Sequence, residues 1–244
     1  MAGRLTDHLV LMTGAAGVIG RATAAAVAAE GGSTIGVDIA PGDGIEHVMD
    51  VTDEAAWICL AETLTEQHGR IDGLVTAAGI LHASPLTETR YEDFRRVMTV
   101  NVDGTFLACR ALWPLLRRSA APSIVTLSSI AGLIGGRGFG AYNASKGAVT
   151  LLTKTMAMEG SREVPPIRAN SVHPAFVESG MVDALAGAME DPAAGHRKLR
   201  AMLPLGRYIR PEEVAATIVH LLAPESGMTT GSEAVLDGGL TAGV

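Results

Sequence analysis

Residues 9–20, LVLMTGAAGVIG, join an unbroken apolar run to three glycines spaced by three, Gly14, Gly17 and Gly20. A run without polar alternation suits a strand covered on both faces, as in a parallel sheet. Glycines directly after it allow a tight turn and a close backbone approach. The Ala-rich stretch from Ala22 to Glu30 has strong helix propensity and reads as the helix that follows. The N-terminus of that helix offers unpaired N–H groups and the positive end of a dipole, so it favours an anion such as a pyrophosphate. A glycine triplet alone is weak evidence. Its strand–turn–helix setting makes a nucleotide site the better reading than a merely tight turn.

The pattern repeats outward from this unit. Short apolar runs at Ser33–Asp38, His47–Val51, Gly73–Ala77, Ser123–Ser128, Ile167–Val172 and Glu233–Leu236 read as strands. Between them, Asp53–His68, Tyr91–Arg118, Ala141–Glu159 and Pro211–Leu222 read as helices. Asp53 and Pro211 are good starts, and Gly69 and Gly160 are good stops. Alternating units of this kind build an α/β fold, a doubly wound parallel sheet of about seven strands with helices on both faces. Nothing marks a linker or a repeat in the 244 residues, so residues 1–244 are read as one domain. A hydrophobic fraction of 48% excludes disorder, and a net charge of −7 argues against nucleic acid or an anionic membrane as the main partner. No uncharged apolar run is long enough to span a bilayer, and no signal-peptide core appears in MAGRLTDHLV. Two cysteines, Cys59 and Cys109, make no disulfide scaffold, so a cytoplasmic location is expected. The histidines and cysteines show no metal-ligand spacing, and no metal is expected.

Ligands of such sheets lie beyond the carboxyl ends of the strands. The second strand ends in Asp38, 18 residues after Gly20. A carboxylate there accepts hydrogen bonds from ribose hydroxyls and repels a 2′-phosphate. Ile39, Ala40 and Pro41 follow without a cation to neutralise that phosphate, which favours NAD over NADP. Asp50 could meet the adenine edge or simply cap a helix. Tyr142 and Lys146, in AYNASK, are spaced i, i+4 and share a helical face. An ammonium about 4 Å from a phenol is worth on the order of 4 kcal/mol at an effective dielectric of 20, enough to bring its pKa of about 10 into working range. Ser129, 13 residues before Tyr142, stands where its hydroxyl can bond a substrate oxygen. Asn101, in TVNVDG, lies oddly within a long helical stretch. His173 precedes a proline and reads as structural.

Together these segments resemble the short-chain dehydrogenase/reductase family over nearly the whole chain. The matching pieces are TGAAGVIG at 13–20, VD at 37–38, DV at 50–51, AAG at 77–79, NV at 101–102, SS with AG at 128–132, YNASK at 142–146 and HPAFVES at 173–179. PEEVA at 211–215 and TGSEAVLDGG at 230–239 carry the likeness to the C-terminus. The resemblance implies a Rossmann-type fold, with Tyr142 as acid–base, Lys146 supporting it, Ser129 binding the oxygen and Asn101 assisting a proton relay. It implies cofactor contacts by Gly14, Gly17, Val18, Ile19, Asp38, Asp50, Val51, Ala78, Gly79, Tyr142, Lys146, Pro174, Val177 and Ser179, and a substrate lid at about 178–203. It also implies a homotetramer. Val18, Thr76 and Ala175 stand where the family more often has Gly, Asn and Gly. The implied activity is NAD-linked interconversion of a secondary, cyclic or hydrophobic alcohol and its ketone. The alternatives are a 3-oxoacyl thioester reductase and a non-catalytic NAD-sensing protein.

Overall fold

The computed structural model describes residues 3–189 and 191–243; position 190 of the stretch expected to form a lid, and the first two residues and the last of the one-domain reading, lie outside the described residues. Strands β1 (Leu9–Thr13), β2 (Ser33–Asp38), β3 (His47–Val48), β4 (Gly73–Thr76), β5 (Ser123–Leu127), β6 (Arg168–Pro174) and β7 (Glu233–Leu236) form one parallel sheet in the order β3-β2-β1-β4-β5-β6-β7. The order reverses at β1, which lies between β2 and β4. Thr13 pairs with both Val37 and Thr76, and Thr76 pairs with Thr126. The carboxyl ends of the central strands are therefore level, and the loops after them leave from one rim.

Alternate residues of each strand face opposite layers. Val10, Met12, Val75 and Val125 pack with Val27 of α1 (Val18–Ala29) and Ile218 and Val219 of α8 (Pro211–Leu222). Leu11, Leu74 and Ile124 pack with Trp57, Leu60 and Leu64 of α2 (Glu54–Gln67) and Leu112 of α4 (Gly104–Leu116). Both faces are covered, which is why the strands read as continuous apolar runs. Trp57, buried in this second layer, donates its indole N–H to Val51 O at 2.8 Å.

Two elements depart from the sequence-based reading. The third strand ends at Val48 rather than Val51. Asp50 explains the stop: its Oδ1 accepts from both the N–H and the hydroxyl of Thr52, a local turn that competes with the ladder. The long helix expected over 91–118 is two helices, α3 (Tyr91–Met98) and α4, joined by a π-helical turn at Thr99–Asp103. Such turns widen the helix by one residue and are frequent at functional sites. α5 (Gly140–Gly160) follows the expected course.

The expected lid consists of α6 (Gly180–Gly187) and α7 (Pro192–Ala201) with a small core of their own, Val182, Ala186 and Leu199, backed by Phe176 and Tyr208. Ser179 and Asp191 cap these helices, accepting from Val182 N and Ala193 N. Among the described residues no helix is long and apolar enough to cross a membrane, and no cluster of His, Cys, Asp and Glu could hold a metal ion.

Candidate active site

At the rim of β1 the chain turns through Gly14 at φ 67°, a conformation that costs side-chain-bearing residues about 1–2 kcal/mol. Space demands glycine as well: a Cβ here would stand 2.6 Å from Ala78 N. A Cβ on Gly20 would overlap Gly14 O, so the helix can approach the turn only without one. α1 starts at Val18 with Gly17 as its cap, no side-chain cap bond and no acid in its first turn. Its N-terminus is thus left open to an anion. Asp38 fixes the neighbouring edge, accepting from Ala16 N at 2.9 Å and from Ala40 N at 3.2 Å. The carbonyl of the same residue, in the next peptide, is taken by Arg21, whose guanidinium donates to Ala16 O. Arg21 escapes the sequence reading because it precedes Asp38 by 17 residues, whereas the fold sets both charges on the backbone of one residue.

The chemical end lies past β5. Ser129 is buried; its Oγ donates to Pro174 O at 3.2 Å and accepts from Ala131 N at 3.2 Å. Tyr142 and Lys146 stand one turn apart on α5, with Nζ 5.7 Å from the phenol ring centroid. Nζ donates to Leu127 O at 2.7 Å. The shift of the phenol runs opposite to the direction that spacing suggests. Burial pushes Tyr142 up to about 12 and outweighs the Ser129 hydroxyl, which pulls the other way. Burial also brings Lys146 down to about 8. Both groups lose hydration together, and that loss is the leading cause of each shift.

Asn101 sits on the π-helical turn, 1% exposed. Its Oδ1 accepts from Ile80 N at 2.8 Å, and its Nδ2 donates to Ile80 O at 3.0 Å and to Ser145 Oγ at 2.9 Å. The side chain therefore ties the loop after β4 to α5, one residue from Lys146. This explains its presence at a position poor for helix propensity.

A cleft of about 550 Å³ connects the two ends. Gly14, Gly17, Val18, Ile19, Gly79, Ser129, Tyr142, Lys146, Pro174, Val177 and Ser179 all line it. Asp38, Asp50, Val51, Ala78 and Asn101 do not stand on its wall. Asp50 is exposed and occupied by Thr52, Val51 is a core residue packed on α4, and Ala78 backs the Gly14 turn. Gly79 faces the cleft close to Lys146 Nζ. Beyond Tyr142 the wall is apolar, with Ile134, Phe139, Phe176, Met181, Leu185 and Met202. Its cationic residues are Arg21 and Lys146. Leu240, from the C-terminal turn held by Asp237, joins this wall and has no local sequence signal. The open helix end, the glycine cradle and the Asp38 carboxylate together fit a dinucleotide.

A family model described as enoyl-(acyl carrier protein) reductase matches residues 14–241. The NADP-dependent (R)-specific alcohol dehydrogenase of Lentilactobacillus kefiri is 34% identical, the alignment covering 99% of this chain and 100% of that protein. The cyclopentanol dehydrogenase of Comamonas testosteroni is 35% identical over 98% of this chain and 99% of its own. Among solved structures, the ligand-free aldohexose dehydrogenase of Thermoplasma acidophilum superposes with a TM-score of 0.93 at 30% identity, covering 100% of this chain and 98% of that one.

Proposed function

The chain belongs to the short-chain dehydrogenase/reductase family of oxidoreductases, and from that premise we propose that it interconverts a secondary alcohol and its ketone with NAD as cofactor. The observation that carries this reading is the convergence of Ser129, Tyr142 and Lys146 at one end of a cleft whose other end is a glycine-lined helix N-terminus.

Bound along the cleft, the nicotinamide cofactor supplies the hydride donor or acceptor. The remaining work falls to the chain. The Ser129 hydroxyl, now turned onto Pro174 O, is the donor that can swing to a substrate oxygen. Tyr142, pushed up to about 12, is protonated at neutral pH and so stands as a proton donor to a carbonyl oxygen. The oxidative direction runs the same transfer backwards and starts from the phenolate: Tyr142 first gives up its own proton, and the alcohol proton then passes to its oxygen. Lys146 supplies a positive charge beneath the phenol while its own proton is held, and Asn101 keeps the loop after β4 against α5.

Asp38 supports NAD, because its carboxylate is anchored on the Ala16 peptide, where a 2′-phosphate would meet like charge. Arg21 is the counterweight, a cation whose guanidinium donates to Ala16 O. The apolar wall favours a neutral, hydrophobic and cyclic substrate. The matching family description favours a second reading, a 3-oxoacyl thioester reductase. Against it stands a cleft wall whose two cations are Arg21, on α1, and Lys146, one helical turn from Tyr142.

A homotetramer is part of the proposal. Phe106 of α4 and Leu151 and Met158 of α5 are apolar and outward-facing, with Leu151 65% and Met158 69% exposed. Light scattering that gives a monomer mass removes it. A cytoplasmic location is also part of the proposal, since two cysteines, Cys59 and Cys109, make no disulfide scaffold.

The test is NADH and NADPH absorbance at 340 nm against cyclopentanol, cyclohexanol, a hydroxysteroid and a 3-oxoacyl thioester, with Tyr142→Phe as control. Turnover of an alcohol with NAD+, lowered about 10²–10⁴-fold in the Tyr142→Phe protein, is expected. Near-normal turnover by that variant would refute the reading.

A further inference from the structure

β5 ends its ladder at the bond from Ser128 N to Val172 O, so Ser129 lies one residue beyond the sheet's support. Within its own turn Ser129 O accepts from Gly132 N. That bond shapes the turn but does not place it against the rest of the protein. The placing bonds come from the end of β6. Ser129 Oγ reaches Pro174 O, and His173 Nδ1 lies 3.0 Å from Ser129 O. His173 is completely buried, and its Nε2 lies 2.7 Å from Ser171 Oγ.

These partners settle the tautomer. A carbonyl oxygen only accepts, so Nδ1 carries the proton and donates to Ser129 O. Nε2 then accepts from the Ser171 hydroxyl, and Ser232 O remains served by Ser171 N at 3.0 Å. Burial holds the His173 pKa below its usual value, which keeps the ring neutral with one N–H to give.

We propose that His173 is a positioning residue, a neutral strut from β6 that holds Ser129 at the distance from Tyr142 that substrate binding requires. The inference rests on the reading above, in which Ser129 bonds the substrate oxygen. A side chain whose single N–H meets the carbonyl of the very residue beyond the sheet does more than fill the core. Leucine would fill much the same space without holding Ser129.

The test uses full-length protein with cyclopentanol and NAD+, or whichever alcohol of the panel is turned over fastest. His173→Asn places an amide N–H near the position of Nδ1, whereas His173→Gln places one near Nε2 and His173→Leu supplies neither. Misplacement by about 1 Å costs on the order of 10²-fold in rate. We expect His173→Leu and His173→Gln to lose about 10- to 100-fold in kcat, with NADH affinity by fluorescence within about twofold of wild type, and His173→Asn to recover most of the loss. In a Ser129→Ala background His173→Leu should then lower kcat no further, because the carbonyl His173 holds remains but the hydroxyl it positions is gone. Equal loss by the Asn and Gln variants, or an undiminished effect of His173→Leu in the Ser129→Ala background, overturns the proposal. The Asn and Gln proteins alone decide it where the leucine protein does not fold. Wild-type turnover by Ser129→Ala itself, or no alcohol turned over by the wild type, refutes instead the site reading beneath the inference, and the inference with it.

Discussion

Lys146→Met should make this protein more stable while removing its turnover. Burial lowers Lys146 from 10.5 to about 8. At ~1.4 kcal/mol per tenfold, keeping the ammonium charged at pH 7 costs the folded state about 3 kcal/mol. Methionine has similar length and no charge, so that cost disappears. Against the gain stands the lost bond from the charged Nζ to Leu127 O, worth about 1.5–3 kcal/mol. The net is about 0–1.5 kcal/mol in favour of the variant, or a rise in Tm of up to about 6 °C for a chain of this size. The sign with pH is equally definite. The folded-state pKa lies below the unfolded one, so between pH 8 and 10.5 the unfolded chain holds a proton that the folded chain has released. Wild-type stability therefore rises with pH across that window, and the advantage of Lys146→Met shrinks. Urea unfolding followed by the fluorescence of Trp57 and Trp113, at one protein concentration and at pH 7, 8.5 and 10, reads both quantities. A variant less stable than wild type at pH 7, or a gap that does not close as pH rises, refutes the reasoning.

The same two groups set a pH–rate limb. Ketone reduction should hold level up to about pH 8 and fall above it as Lys146 loses its proton, while Tyr142, pushed up to about 12, remains the donor. Lys146→Arg should erase that limb in a kcat/KM profile, and a limb unmoved by it would assign the titration to another group. Asp38→Ser removes the charge anchored on Ala16 N, so kcat/KM with NADP+ should rise on the order of 10- to 100-fold relative to NAD+. An unchanged cofactor ratio would show that Asp38 does not discriminate. Gly14→Ala combines a positive φ with a Cβ 2.6 Å from Ala78 N, so it should cost at least about 2 kcal/mol in urea unfolding and weaken NADH binding in a fluorescence titration. Wild-type stability and affinity would mean that the turn can relax away from β4.

Local patterns carried much of the architecture. The strands and helices of a doubly wound sheet follow from runs and punctuation that neighbouring residues supply, and Gly14, Gly17 and Gly20 announce their turn within eight residues of TGAAGVIG. The spacing of Tyr142 and Lys146 sufficed to put them on one helical turn, as the structure has them. The π-helical turn at Asn101 was not legible, because nothing local explains a widened helix until Ile80 and Ser145 are seen taking up the amide.

The electrostatics were not legible either. Spacing alone suggests that the ammonium lowers the phenol's pKa, but the burial of both groups raises one to about 12 and lowers the other to about 8. Likewise Arg21 and Asp38 meet at one residue, Ala16, and His173 meets Ser129, only through the packing of separate strands and loops. The sequence by itself determined which residues can turn, cap, donate and accept, since those properties belong to each residue and its nearest neighbours. The tertiary structure decided which partners they meet and how much water they lose, since desolvation depends on what distant segments of the chain lay over them.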